Sequence, residues 1–197
     1  MLKKVKLNEI ADIRSGQLFR HKFENDPKGK YQVVQLKDVN NEGLISENNL
    51  YRVMLDKVNE RAQLKKGDIL FKAKTNRPIA ASVDTELKDT IASANYYIIR
   101  PRKKGQIHSK YLTWFLNQKA AQEYYKKTAK GSIFPIVNKK ALGEIIIPIP
   151  NKEIQNKIIK IVELEQKEMI LREEIIKLRE ILIETEIWKA IKIEEEV

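Results

Sequence analysis

Apolar residues along the chain keep a short rhythm at first and a long one later. Leu7, Ile10, Ala11 and Ile13 fit one face of a single amphipathic turn over residues 7–13, closed by Ser15-Gly16. Residues 17–30 are polar and carry Asp26-Pro27 and Gly29, which predicts a loop. Tyr31-Gln32-Val33-Val34-Gln35-Leu36 reads as a strand. So do Ile69-Leu70-Phe71 after Gly67-Asp68, and Tyr96 to Ile99 after Ala92-Ser93-Ala94-Asn95. Leu112, Phe115, Leu116 and Ala120 recur at helical spacing, predicting one or two helices over 109–128. A loop follows Gly131-Ser132, then Leu142 and the strand Ile145-Ile146-Ile147. Pro148-Ile149-Pro150 should end that strand, because proline donates no ladder hydrogen bond.

From Asn151 onward the texture changes. Asn151 suits an N-cap, Glu153 suits the positive first turn, and no Gly or Pro interrupts the rest of the chain. Ile154, Lys157, Ile161, Leu164, Glu168, Leu171, Ile175, Leu178 and Leu182 alternate spacings of three and four, which is a heptad seam with two polar interruptions. Ile158, Val162, Ile176, Ile183 and Ile187 form a flanking stripe, wider than a two-stranded seam needs. A helix from 152 to about 190 would run roughly 55–60 Å. It cannot bury that stripe on one 150-residue domain, so it calls for another helix. Ile161, Leu164, Leu171, Ile175, Leu178 and Leu182 are the candidate dimer interface, and a closed twofold dimer is the commonest solution. The predicted class is α+β: a mixed α/β globular domain over 1–150, followed by one long C-terminal helix over 151–197 forming a coiled coil.

Charge sharpens the division. The 197-residue chain has a net charge of +11; residues 151–197 hold 9 Lys/Arg against 12 Asp/Glu, leaving 29 basic and 15 acidic side chains in the first 150 residues. A domain with that excess favours an anionic partner, and nucleic acid is the commonest. A lysine-rich protein from an AT-rich genome would have a similar composition, so charge alone leaves both readings open. With no Cys there is no disulfide framework, thiolate metal site or Cys nucleophile. The basic N-terminus leads into no signal-peptide run and no stretch is of transmembrane length, which predicts a cytoplasmic protein.

Candidate catalytic chemistry is thin. Asp68 with Glu86-Leu87-Lys88 is the nearest approach to a metal-dependent nuclease pattern, in which two acids hold Mg²⁺ and a lysine activates water. Yet Val83 to Thr90 is mostly polar, like a surface turn, and Asp68 after Gly67 reads more simply as a turn residue. His21 and His108 have no acid partner nearby in sequence, and no Gly-rich phosphate loop is present. No catalytic or metal-ligating residue and no cofactor is expected in this chain.

The basic clusters point elsewhere. Lys72, Lys74, Asn76 and Arg77 follow a strand directly, with Thr75 and Pro78 among them, and such a loop can offer Lys to phosphates and Arg or Asn to base edges. Lys126, Lys127, Lys130, Ser132, Lys139 and Lys140 span a helix end and the loop after it. For any single lysine a solvated surface is an equal alternative. Tyr96, Tyr97, Tyr124 and Tyr125 suit core packing better than base stacking.

The order of these features resembles the specificity subunits of type I restriction-modification systems. The matching pieces are Leu7-Asn8-Glu9-Ile10-Ala11-Asp12-Ile13 with Ser15-Gly16, Gly67-Asp68-Ile69-Leu70-Phe71, Tyr111-Leu112 with Phe115-Leu116-Asn117, and Gly131-Ser132 ahead of Leu142. Ile147-Pro148-Ile149-Pro150, with Gln155 and Ile158 opening the long helix, completes the series. The resemblance implies a non-catalytic DNA-binding subunit of a host-defence restriction system. Its target-recognition domain (1–150) would read double-stranded DNA at a bipartite site, and its helix would act as dimerisation element and spacer. It also implies methyltransferase (modification) subunits and a restriction/translocase subunit as partners, with S-adenosylmethionine, ATP and Mg²⁺ belonging to them. Family members carry two recognition domains and two helices that pair antiparallel; this chain has one of each and resembles half a subunit, which calls for a homodimer. The alternative is a regulatory or structural half-subunit that pairs through its helix with another specificity subunit and modulates assembly.

Overall fold

A computed structural model describes residues 2–75, 77–102, 107–128 and 136–195. The chain divides into two units, residues 1–156 and 157–197. In the first, strand β1 (Lys3–Lys6) pairs antiparallel with β9 (Ile146–Ile149), Lys3 opposite Ile149 and Lys6 opposite Ile146. Pro148 thus sits inside a strand instead of ending one. A two-stranded sheet tolerates this because each strand has a free edge on which no ladder donor is needed. The Pro148 carbonyl accepts the Tyr111 hydroxyl at 2.7 Å.

The expected amphipathic turn over 7–13 stops early. Helix α1 is one turn, Leu7–Ile10, with both terminal side chains buried. Ala11–Ser15 is strand β2, laid against β8 (Tyr96–Pro101) from Ala11 opposite Pro101 to Ser15 opposite Tyr97. That ladder satisfies backbone groups far apart in sequence, which a local pattern does not reveal.

β8 also pairs with β5 (Ile69–Lys72), and β5 with β6 (Ile79–Ser82), giving a four-stranded antiparallel sheet in the order β2-β8-β5-β6. A second sheet has the order β4-β3-β7, with β3 (Tyr31–Val34) antiparallel to β4 (Tyr51–Val53) and parallel to β7 (Thr90–Ala92). The strand expected over 31–36 ends at Val34, and a 3₁₀ turn, Leu36–Asp38, follows. Val33, Val34, Ile91 and Ala92 from one sheet and Leu70, Ala81 and Ile98 from the other join one buried cluster. Ile69, Leu70 and Phe71 are all fully buried, so β5 is covered on both faces, which is why its sequence is a continuous apolar run. Each such side chain contributes about 1.5–3 kcal/mol by leaving water.

Helices α2 (Ser109–Asn117) and α3 (Lys119–Thr128) occupy the region expected to be helical, separated by Gln118. His108 is the N-cap of α2, its Nδ1 accepting the Lys110 N–H at 3.2 Å. A short helix that the apolar pattern does not announce, α4 (Lys139–Glu144), is capped by Asn138, whose side chain accepts from the Ala141 N–H.

The long helix α5 runs over Lys152–Glu195, 44 residues, or about 66 Å at 1.5 Å per residue. Asn151 Oδ1 accepts the Ile154 N–H at 2.9 Å, the expected cap. Gln155 is buried and bridges two segments: Oε1 accepts from the His108 N–H and Nε2 donates to the Pro150 carbonyl, each at 2.9 Å. In the second unit the six seam residues from Ile161 to Leu182 stand 48–65% exposed. No described helix is long and apolar enough to cross a membrane.

Candidate nucleic-acid interface

The segment between β5 and β6 is a hairpin loop, closed by Lys72 opposite Ile79. Two ties hold it. The Ala73 carbonyl accepts the Val137 N–H at 3.2 Å and Lys74 bridges to Ile136, joining the loop to the chain just before α4. On its return side the Pro78 carbonyl accepts from Gln122 Nε2 at 2.9 Å, joining it to α3. One residue further into β6, Asn117 at the end of α2 accepts the Ala80 N–H and donates to the Ala80 carbonyl, both at 2.8 Å. This side chain completes an edge strand that would otherwise leave buried backbone groups unpaired.

Helix α3 is fixed to the same sheet by Tyr125. Its ring meets Phe71 edge-on at 5.2 Å and its hydroxyl donates to the Leu116 carbonyl. Burial pushes the Tyr125 phenol far up, and that of Tyr96 likewise, so both stay neutral donors. Tyr124 is half-buried and donates to the Ala141 carbonyl at 2.8 Å. Tyr96, Tyr124 and Tyr125 therefore pack, while Tyr97 is half-buried on β8.

The two basic clusters thus lie on segments that are tied to each other, the hairpin loop and α3. Lys74 and Arg77 are exposed on the hairpin loop, with Lys72 half-buried at its root; Lys126 and Lys127 are exposed at the end of α3, directly after Tyr125. Among the described residues none of these five cations makes an ion pair with a carboxylate. Such unneutralised charge suits phosphate oxygens, and the hairpin gives the Arg77 fork a fixed root. Asn76, Lys130 and Ser132 lie outside the described residues. Lys139 goes to different surroundings: it lines a shallow cleft with Asn8, Asp12, Arg102, Lys140 and Glu144. There Asp12 holds Arg102 at 3.0 Å, while Glu144 takes Lys6 at 2.6 Å and Asn8 at 3.1 Å. The Lys6 hydrogen bond holds the Glu144 carboxyl below its usual range and raises Lys6 in turn. This cleft carries both signs of charge.

Asp68 turns out to be more than a turn residue. It is 1% exposed and its carboxylate accepts Arg100 Nε and Nη2, both at 2.6 Å, and the Lys65 N–H at 2.8 Å. Arg100 Nη2 also donates to the Gln63 carbonyl. This pair knots the turn before β5 to β8, and Gly67, at φ +88°, supplies the left-handed bend that lets Asp68 turn inward. Both carboxylate oxygens are committed to these bonds. Sequence alone hinted at this only through Gly67-Asp68; the partner lies 32 residues away. Gln122 and the Ala73–Val137 tie carry no sequence signal either, and Asn117, though part of a motif noted above, gives no sign of its partner, since each acts through a backbone group of a distant segment.

Over residues 2–178 the chain matches the type I restriction modification DNA specificity domain. It belongs to that family, whose members recognise DNA sequence. Solved structures share its fold. The S subunit of a type I restriction-modification system from M. genitalium is 17% identical, with a TM-score of 0.55, over 85% of this chain and 39% of that one. The HsdS subunit from Thermoanaerobacter tengcongensis is 20% identical, with a TM-score of 0.61, over 86% of this chain and 44% of that one. A chain from a structure addressing complex assembly and conformational transition of the type I R-M system is 18% identical, at a TM-score of 0.58, over 86% and 39% of the two chains. The chain therefore spans about two fifths of the length of these structures. Comparison with curated proteins finds no match.

Proposed function

We propose that this chain is the non-catalytic, sequence-reading subunit of a cytoplasmic type I restriction-modification complex, one chain reading one half of a bipartite site in duplex DNA. The observation that carries the reading is the tie between the hairpin loop and α3, two segments that expose Lys74 and Arg77 on one and Lys126 and Lys127 on the other, none with a carboxylate partner among the described residues. Two chains pair through the seam of α5, whose apolar side chains stand about half exposed in the single chain. Methyltransferase and restriction subunits dock on the pair and bring S-adenosylmethionine, ATP and Mg²⁺ with them.

The test is binding of the assembled complex to its methylated-site duplex and to an unrelated duplex across a salt series. A lysine that touches only phosphate adds about 0.9 to the slope of log K against log salt and ignores sequence. Lys127→Ala should weaken both duplexes alike and flatten the slope. Arg77→Ala should lose mainly cognate affinity, by about 1–3 kcal/mol for a bidentate base contact. A complex that distinguishes no two duplexes would refute the reading and favour a regulatory half-subunit.

A further inference from the structure

The sheet topology places a third loop beside the hairpin. β2 and β5 both run antiparallel to β8, one on each side of it, so they run parallel to each other and leave the sheet at the same end. Ser15 stands opposite Tyr97 and Lys72 opposite Tyr96. The loop after β2, the hairpin after β5 and the turn that opens β8 therefore emerge together.

The loop after β2 is anchored at its root. The Gly16 N–H donates to the Tyr96 carbonyl at 3.2 Å and the Gln17 N–H to the Ala92 carbonyl at 2.7 Å; the Gln17 carbonyl accepts from the Ala94 N–H at 2.8 Å. A side chain on Gly16 would run into the Ala92 and Ser93 carbonyls, so only glycine permits this approach. Beyond the root, Phe19 and Phe23 pack against the core cluster and against each other, with ring centroids 4.3 Å apart. Held by these two rings, Leu18, Arg20, His21 and Lys22 are exposed, Leu18 to 72%. Asn95, in the turn tied to Gln17, is exposed as well. Among the described residues Arg20, His21 and Lys22 make no ion pair.

From this geometry we infer that the 18–22 loop and Asn95 form a second base-reading element, continuous with the hairpin loop, in the DNA-binding face. The inference rests on the DNA-reading function proposed above and adds residues to it. Arg20 has the planar fork that matches a guanine edge, and Asn95 the amide that matches adenine. Leu18 offers an apolar surface to a thymine methyl, and Lys22 a point charge to phosphate. Pinning by Phe19 and Phe23 matters because a loop already held in place loses less entropy on binding.

The experiment uses the full chain assembled with its modification subunit, a duplex carrying the site found by methylation mapping, and a duplex of unrelated sequence. Arg20→Ala and Asn95→Ala should each weaken the cognate duplex by roughly 5- to 150-fold, the range of one good base contact, and the unrelated duplex much less. Arg20→Lys keeps the charge and loses the fork, so it should retain the salt slope and lose cognate preference. These side chains are exposed, and an unchanged urea midpoint confirms that each variant folds. If both alanine variants bind the cognate duplex like wild type while Arg77→Ala weakens it, the inference fails and the proposed function stands. If Arg20→Ala weakens both duplexes equally and Arg20→Lys restores both, the loop touches only phosphate and base reading is overturned. Should wild type itself discriminate no duplexes, the proposed function fails, and this inference with it.

Discussion

Replacing Asp68 by alanine isolates the ion pair between the turn before β5 and β8. The change removes three accepted hydrogen bonds, two from Arg100 at 2.6 Å and one from the Lys65 N–H at 2.8 Å. It leaves a guanidinium that is 21% exposed and still bonded to Gln63. Removing one partner of a buried pair costs about 3–5 kcal/mol; partial hydration of Arg100 puts this case at the lower end, near 3 kcal/mol. With an m-value of about 1–3 kcal/mol/M, the urea midpoint should fall by roughly 1–3 M, measured at fixed protein concentration because association shifts it too. Arg100→Met should cost more, since it strands a carboxylate that is 1% exposed. The double variant Asp68→Ala/Arg100→Met should lose less than the two single losses combined, because the second change removes the charge that the first left unpaired. Strict additivity, or an Asp68→Ala midpoint equal to wild type, would refute the account. In either variant, DNA binding under native conditions should persist, because the pair stabilises the domain and does not face the basic junction.

Leu171→Glu/Leu178→Glu should convert a dimer to a monomer in equilibrium sedimentation, since a charge buried in the seam has no partner there; an unchanged mass would place the interface elsewhere. Two identical halves about a twofold axis read identical half-sites in inverted orientation, so methylation mapping should yield a palindromic bipartite target. Two unrelated half-sites would mean pairing with a different chain. Asp38 is buried, and burial pushes its carboxyl above the usual value of 3.8. The folded state then takes up a proton more readily than the unfolded one, so acidification relieves the cost of the buried charge. Relative to Asp38→Asn, which keeps an acceptor for the Gln35 N–H, wild type should gain stability as pH falls from 7 through that raised value; a flat difference in urea unfolding would contradict this.

Local sequence exposes those elements whose stability is local or whose burial is two-sided. The 44-residue helix shows itself through a heptad seam, a run free of Gly and Pro, and an asparagine cap. β5 and β8 show themselves because burial on both faces demands continuous apolar residues. β1 is Lys3-Lys4-Val5-Lys6, polar by composition, and becomes a strand only because β9 lies beside it. β6 is Ile79-Ala80-Ala81-Ser82, poor in strand formers, and is held by β5 on one edge and by the Asn117 amide on the other. Ala11 and Ile13 continue the helical pattern set by Leu7 and Ile10, yet they join a strand because residues 11–15 pair with β8 over five positions.

The interface divides along the same line. Charge is a property of residues, so Lys74, Arg77, Lys126 and Lys127 stand out in the sequence before any fold is known. Juxtaposition is a property of strand direction. Nothing near Arg20 announces that β2 and β5 run the same way, and Leu18 to Lys22 read as an ordinary polar loop. Only the ladder on both sides of β8 shows that the loops after Ser15 and after Lys72 leave the sheet at one end. Antiparallel pairing to a shared central strand always produces this outcome for its two neighbours, so one strand brings together loops more than fifty residues apart. A recognition surface assembled this way can change its loops without disturbing the ladder, because the hydrogen bonds that align the three strands are made by backbone and are indifferent to the side chains at the rim.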